Sequence, residues 1–365
     1  GYCTRAPQPD CRDLQRIRQI APIVGNVRNY TFLRTCRVVP TLPRWRVPPG
    51  TKEMAVETRA LGNTGLEASV LGFGAAPIGV LDAPQTDIDG VLNLLLDKGV
   101  NLIDTAANYA SSEEAIGKAI AARRKEYILV SKCGQAFPDL KGDAWSAEII
   151  RNTIDRSLQR LQTDYLDVML LHSCGLEILQ QGEVIDALLV ARDAGKIRFA
   201  GYSGDNETVA YAASLAELSV IETSVNICDQ ANIDVVLPQA IDAGLGVLAK
   251  RPIANAAWKP LNDQPGFYSE YARKYTERWS EMDLAVDDLG FAESHDSSWP
   301  EIALRFTLAQ PGVHTAIIGT TRTTHAIANV TAALKGPLPS AAVAEIRSAF
   351  RRAAAESSDT WQGLT

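Results

Sequence analysis

The chain is 365 residues long, 46% apolar and 22% charged, with a formal net charge of −7. That composition can bury a sizeable core, and no apolar run reaches the roughly 18 residues of a membrane-spanning helix, which predicts a cytoplasmic protein with no membrane partner. The six cysteines, Cys3, Cys11, Cys36, Cys133, Cys174 and Cys228, form no C-x-x-C and no His/Cys cluster, so neither a disulfide framework nor a metal site is predicted.

Charge divides the chain. Residues 1–53 carry ten basic groups against three acids, a net of +7 that leaves −14 on the remainder. The segment is rich in Pro and Arg, lacks serine, has no sustained period and runs directly into Met54, the first methionine. It is predicted to be a disordered basic extension, with the folded domain spanning 54–365. An Arg-rich transit peptide is the alternative, disfavoured by the missing serine. Nucleic acid is not a predicted partner, because neither a known module nor aromatic interleaving accompanies the arginines.

The folded part opens with "TRALGNTGLEAS", two short strands about an Asn63-Thr64-Gly65 turn. Eight apolar runs of strand length follow in order: "SVLGFGAA", "VNLIDTA", "YILVSKCG", "YLDVMLLH", "IRFAGYSG", "SVIETSVNI", "LGVLAKRP" and "HTAIIGTT". Between them lie segments of helical period such as "DIDGVLNLLLDKG", "SAEIIRNTIDRSLQRLQ", "EVIDALLVARDAG" and "PEIALRFTLAQP". Near-continuous apolar strands joined by helices mean a parallel sheet covered by helices, and eight such units are the count of a closed (β/α)8 TIM barrel. The N-terminal β-hairpin is then placed to close the barrel bottom. The rival is an open doubly wound sheet, but its G-x-G-x-x-G fingerprint fails, since "GFGAAP" puts Pro77 where the third glycine belongs. Gly72 and Gly74 read instead as close backbone approaches at a strand end.

Barrel chemistry collects at the carboxyl ends of the strands. The second strand ends in Asp104 with Tyr109 in the following loop, the third in Lys132 and the fourth in His172. Each alone has a structural explanation: a helix cap, a rim aromatic, a solvated lysine, a satisfied core imidazole. Converging on one mouth, they make a proton-transfer site. A phenol with a reference pKa of about 10 is a poor donor near neutrality, and a neighbouring cation stabilises its phenolate. Lys132 supplies that cation, and Asp104 keeps the buried ammonium charged. His172 then orients a substrate carbonyl.

The stretches "GVNLIDTAANYASSEEAIGKAI", "ILVSK", "YLDVMLLH" and "AGKIRFAGYS" resemble the aldo-keto reductase family over about residues 57–335. The resemblance implies a barrel that binds NADPH across its mouth and interconverts a small carbonyl compound, or a sugar, and an alcohol. It assigns the family's Asp–Tyr–Lys–His set to Asp104, Tyr109, Lys132 and His172. It also implies a nicotinamide amide held near Ser203 and Glu222, further contacts at Gly74 and Ala75, and an adenosine end in "GTTRTTHAIAN", with Gly319, Thr320, Thr321, Arg322, His325 and Asn329 as contacts. The sequence departs from the family pattern in Gly204 after Ser203, in Glu222 where glutamine is usual, and in Lys250 where an aromatic ring is usual. Within the run, Arg322 offers a planar fork for the 2′-phosphate that separates NADPH from NADH, with Lys250 and Arg251 as the next phosphate candidates.

The sequence also admits two other classes: a Schiff-base aldolase-type barrel with Lys132 as nucleophile, disfavoured because such a lysine should be desolvated rather than salt-bridged, and a non-catalytic NADPH-binding regulatory module. Specificity is expected in the long segment between Ala254 and Trp299, where Trp258, Phe267, Tyr268 and Trp279 either line an apolar pocket or pack the loop down.

Overall fold

In the computed structural model the described residues are 55–263, 266–291 and 298–364, with backbone alone for 266–271. The basic extension at 1–53 lies outside them. Among the described residues ten strands run in chain order: β1 Thr58–Ala60, β2 Glu67–Ser69, β3 Leu71–Gly74, β4 Leu102–Asp104, β5 Ile128–Cys133, β6 Leu166–His172, β7 Ile197–Ser203, β8 Val220–Ser224, β9 Gly246–Lys250 and β10 Thr315–Ile318. Strands β3 to β10 pair in parallel and close into a barrel, β10 returning to β3. This is the (β/α)8 architecture that the eight apolar runs predict.

The helices are α1 Ala76–Val80, α2 Gln85–Asp97, α3 Ser112–Ile120, α4 Ala147–Leu161, α5 Leu176–Gln181, α6 Glu183–Asp193, α7 Asn206–Ala213, α8 Ala231–Asp242, α9 Gly266–Met282, α10 Trp299–Leu308, α11 Thr323–Leu334 and α12 Ser340–Glu356. They bury one face each, as Ile150, Ile154, Ser157 and Leu161 do along α4. That helix starts at Ser146, whose hydroxyl accepts from the Ile149 N–H, and ends at Gln162 in the left-handed conformation. No described helix is long and apolar enough to cross a membrane.

Strand periodicity separates two cores. Alternate residues face opposite sides of a sheet, so Ile103, Leu129, Met169 and Leu171 pack outward against the helices. Leu102, Val130, Val168, Leu170, Val220 and Leu248 fill the barrel interior. Truncating one of these interior leucines to alanine should cost about 2–5 kcal/mol.

The hairpin closes the floor of this interior. Strands β1 and β2 pair antiparallel, and Leu61, Leu66 and Ala68 join the inner cluster. The Asn63 N–H donates to the Gly244 carbonyl at 2.8 Å, just before β9 begins. A side chain on Gly62, whose φ is +51°, would meet Gly246 N at 2.4 Å, so only glycine fits where the hairpin tip touches the barrel.

Candidate functional site

The barrel's alternation also positions the site. Asp104, Lys132, His172, Glu222 and Lys250 each follow by two positions an inward-facing apolar residue: Leu102, Val130, Leu170, Val220 and Leu248. They therefore form the next interior layer upward, at the carboxyl ends of five strands. Ser203 is paired to His172 on one side and to Glu222 on the other.

At the centre is Lys132, 1% exposed. Its ammonium donates to Asp104 Oδ1 at 2.5 Å and to the Thr105 carbonyl at 3.1 Å. It also lies 3.2 Å from Glu222 Oε2. Burial works to strip its proton, but the charges of Asp104, Glu222 and Tyr109 outweigh burial and hold its pKa above the ordinary lysine value. A solvated lysine is thereby excluded. Asp104 is pushed well above the usual carboxylate range, first by burial and then by Glu222, because one cation cannot fully compensate two anions.

Tyr109 follows β4 in a turn closed by its N–H donating to the Ala106 carbonyl. Its ring centre lies 5.3 Å from Lys132 Nζ. The Tyr109 and His172 rings meet edge to face with centroids 5.7 Å apart. Burial, followed by the positive charges of Lys132, Lys250 and Arg251, drives the His172 pKa well below its usual value, so the imidazole is neutral near pH 7. All four residues expected at one mouth are brought together there.

The other expected contacts fall in two groups. Ser203 Oγ donates to Glu222 Oε1 at 3.3 Å. Lys250 pairs with Asp205 Oδ2 at 2.9 Å, and Arg251 donates to the Ser224 hydroxyl and the Leu364 carbonyl. Both cations that the sequence offers to a phosphate thus have protein partners. At the end of β10, Gly319 has no room for a side chain, since a Cβ would lie 2.4 Å from the Gly74 carbonyl oxygen. The Ala75 N–H donates to the Asp104 carbonyl at 2.8 Å, tying β3 to β4. The Thr320 hydroxyl accepts from the Arg322 N–H at 3.1 Å, no side chain caps α11, and Arg322, Thr323, Thr324 and His325 are exposed, with Thr321 and Asn329 half-buried. An uncapped helix start beside an exposed guanidinium fits a phosphate. The buried Glu222 Oε2, which has no hydrogen-bond partner, leaves polar capacity at the other end of the mouth.

Three features are absent from the sequence reading. Glu222 is a second carboxylate on Lys132. Asp205 forms a buried hub, accepting from Thr223 Oγ1, the Ser224 N–H, Asn232 Nδ2 and Lys250. The C-terminal segment docks onto the same mouth: Arg278 donates to the Gln362 carbonyl, Asn206 exchanges hydrogen bonds with Gly363, and the Leu364 N–H donates to Asp229 Oδ2. In the specificity segment, Trp258 and Trp279 pack with Trp299, centroids 4.5–6.3 Å apart. These two rings hold the segment down, while the side chains of Phe267 and Tyr268 lie outside the described residues.

A closed barrel with an ionised lysine, a phenol and a neutral imidazole at its mouth defines an enzyme-type barrel. The model of the aldo/keto reductase family matches residues 70–351, and the chain belongs to that family, hence to its oxidoreductases. It is 31% identical over 292 residues to an L-galactose dehydrogenase of Arabidopsis thaliana, covering 76% of this chain and 88% of that protein. It is 30% identical over 216 residues to an NADH-specific methylglyoxal reductase of Escherichia coli, covering 53% of this chain and 66% of that one. Among solved structures, the holo form of an aldo-keto reductase from Bacillus halodurans superposes with a TM-score of 0.68 at 26% identity, covering 80% and 96% of the two chains.

Proposed function

We propose that the protein interconverts an aldehyde, ketone or sugar and the corresponding alcohol, with Tyr109 as the general acid and base and NADP(H) as the preferred cofactor. The observation that carries this is the Lys132 ammonium, buried on Asp104 and 5.3 Å from the Tyr109 ring centre. A bound nicotinamide supplies or accepts the hydride. The chain's own residues handle the proton. Tyr109 gives it to the carbonyl oxygen in reduction and takes it from the hydroxyl in oxidation, with Lys132 stabilising the phenolate that reduction leaves behind. Neutral His172 hydrogen-bonds the same oxygen and fixes its position near Tyr109. Asp104 holds the lysine in place.

Ser203 and Glu222 would hold the nicotinamide end, and Gly319, Thr320, Thr321, Arg322, His325 and Asn329 the adenosine end. The exposed Arg322 at an uncapped helix start supports a 2′-phosphate there. Similarity to an L-galactose dehydrogenase supports a sugar as one substrate class. A Schiff-base role for Lys132 is disfavoured, because a nucleophilic amine must be neutral and this one sits on two carboxylates.

The test is a coupled assay of aldehydes, ketones and sugars with both cofactors in both directions. Turnover of at least one class, dependent on Tyr109, is the expected result. Cofactor binding without turnover of any class would point to a regulatory module instead.

A further inference from the structure

Lys132, Asp104 and Glu222 form a group of one cation and two carboxylates, each 4% exposed or less. Asp104, at 2.5 Å, already satisfies the lysine. Glu222 stands farther off at 3.2 Å; its Oε1 accepts from Ser203 Oγ, while its Oε2 has no hydrogen bond. A neutral amide here would keep the Ser203 hydrogen bond through its oxygen and turn its NH2 toward Lys132, so what the carboxylate contributes is its charge: two anions face one cation at a site with little water to screen the excess. The cation on the far side does not cancel it, because Lys250 is matched by Asp205 at 2.9 Å.

Charge at this point discriminates between the two redox states of a nicotinamide, whose oxidised ring is cationic and whose reduced ring is neutral. We infer that Glu222 makes the mouth hold the oxidised ring more tightly than the reduced one, and so sets the site toward oxidation of an alcohol or sugar; this rests on the cofactor position proposed above. In that direction the alcohol carbon gives up a hydride, with both electrons, to the cofactor, and the hydroxyl gives its proton to the Tyr109 oxygen, leaving the carbonyl product. Each tenfold preference for the oxidised form lowers the potential of the bound couple by about 30 mV.

The test needs no turnover. NADPH and NADH are titrated by fluorescence, and their oxidised forms by displacement, against wild type, Glu222→Gln and Glu222→Asp. Glu222→Gln should weaken the oxidised forms relative to the reduced ones by about tenfold or more, the scale of one charge acting across a few ångströms of protein. Glu222→Asp, which keeps the charge, should preserve most of the wild-type ratio. A common factor for both redox states in Glu222→Gln, or a ratio lost equally in Glu222→Asp, overturns the inference while leaving the cofactor site standing. Failure of wild type to bind either redox state overturns the cofactor site itself, and the inference with it.

Discussion

Lys250 and Asp205 meet at 2.9 Å across the end of β8, one at the tip of β9 and the other just beyond β7. The Asp205 side chain is fully buried and that of Lys250 is 13% exposed. Burial pushes the Asp205 carboxyl up, yet the charge and hydrogen bond of Lys250, with the Ser224 N–H, outweigh it and hold the group below the usual carboxylate range. Removing one partner of such a pair leaves a buried charge, at a cost of about 3–5 kcal/mol. Lys250→Met should lie near the lower end, since Thr223, Ser224 and Asn232 still donate to Asp205. A depressed carboxylate contributes stability above its unfolded pKa of about 3.9 and loses it as pH falls further. Without Lys250 burial raises the Asp205 carboxyl, so the loss should be full at alkaline pH, shrink as pH falls through the acid range, and be largely recovered in Lys250→Met/Asp205→Asn. Denaturant unfolding at several pH values measures it, and a pH-independent loss would remove the ion pair as its cause.

Tyr109→Phe keeps the ring that meets His172 edge to face and deletes only the hydroxyl. Turnover should fall by about two orders of magnitude or more, the usual worth of a general acid, with cofactor affinity nearly unchanged. Stopped-flow reduction with a good substrate separates the two quantities. Retained turnover would reassign the proton donor.

Much of the barrel is legible in the sequence because parallel strands buried on both faces must be apolar runs, and a charged residue ending such a run is conspicuous. Asp104, Lys132 and His172 stand out in this way. The inward alternation that places them two positions above Leu102, Val130 and Leu170 is local to each strand and can be read along the chain. Pairings between strands are not local. That Glu222 reaches Lys132, or that Lys250 is matched by Asp205, depends on barrel closure and register, so Lys250 and Arg251 read as free phosphate ligands when both are engaged by the protein. The docked C-terminus was hidden for another reason. Gln362, Gly363 and Leu364 are held through their backbone groups, which carry no side-chain signature.

Cofactor choice is tested at Arg322. The residue is exposed and stands just before α11, whose start has no side-chain cap, so its substitution should leave the fold intact. Arg322→Ala should weaken NADPH roughly tenfold or more, the scale of a charge-assisted hydrogen bond, and leave NADH nearly untouched. Equal losses for both cofactors, or none for either, would place the 2′-phosphate elsewhere.

The basic segment 1–53 has no periodic apolar face with which to join a core. Its deletion should change neither melting temperature nor rate. A melting temperature lowered by several degrees would show instead that the segment packs on the barrel.

Asp229 couples the docked C-terminus to pH. Its Oδ2 accepts from the Tyr275 hydroxyl at 3.0 Å and the Leu364 N–H at 2.9 Å, while Oδ1 has no partner. Burial, and after it the negative charge of Asp205, raise the carboxyl to about 7. Unfolded, the same group titrates near pH 3.9. Between these values the folded chain holds a proton that the unfolded chain has released, so the contribution of Asp229 to stability is complete below about pH 4, declines as pH rises to about 7, and is constant beyond. Asn at this position keeps an oxygen to accept both hydrogen bonds and cannot ionise. The stability of Asp229→Asn relative to wild type should therefore grow from pH 4 to pH 7 and level off, reaching at most about 4 kcal/mol at roughly 1.4 kcal/mol per pH unit. Guanidinium unfolding at one-unit steps from pH 4 to pH 8, followed through the buried Trp361 that precedes the docked residues, reads this directly. A difference that stays flat across the range would mean that Asp229 is ionised throughout and that the C-terminus is held independently of pH.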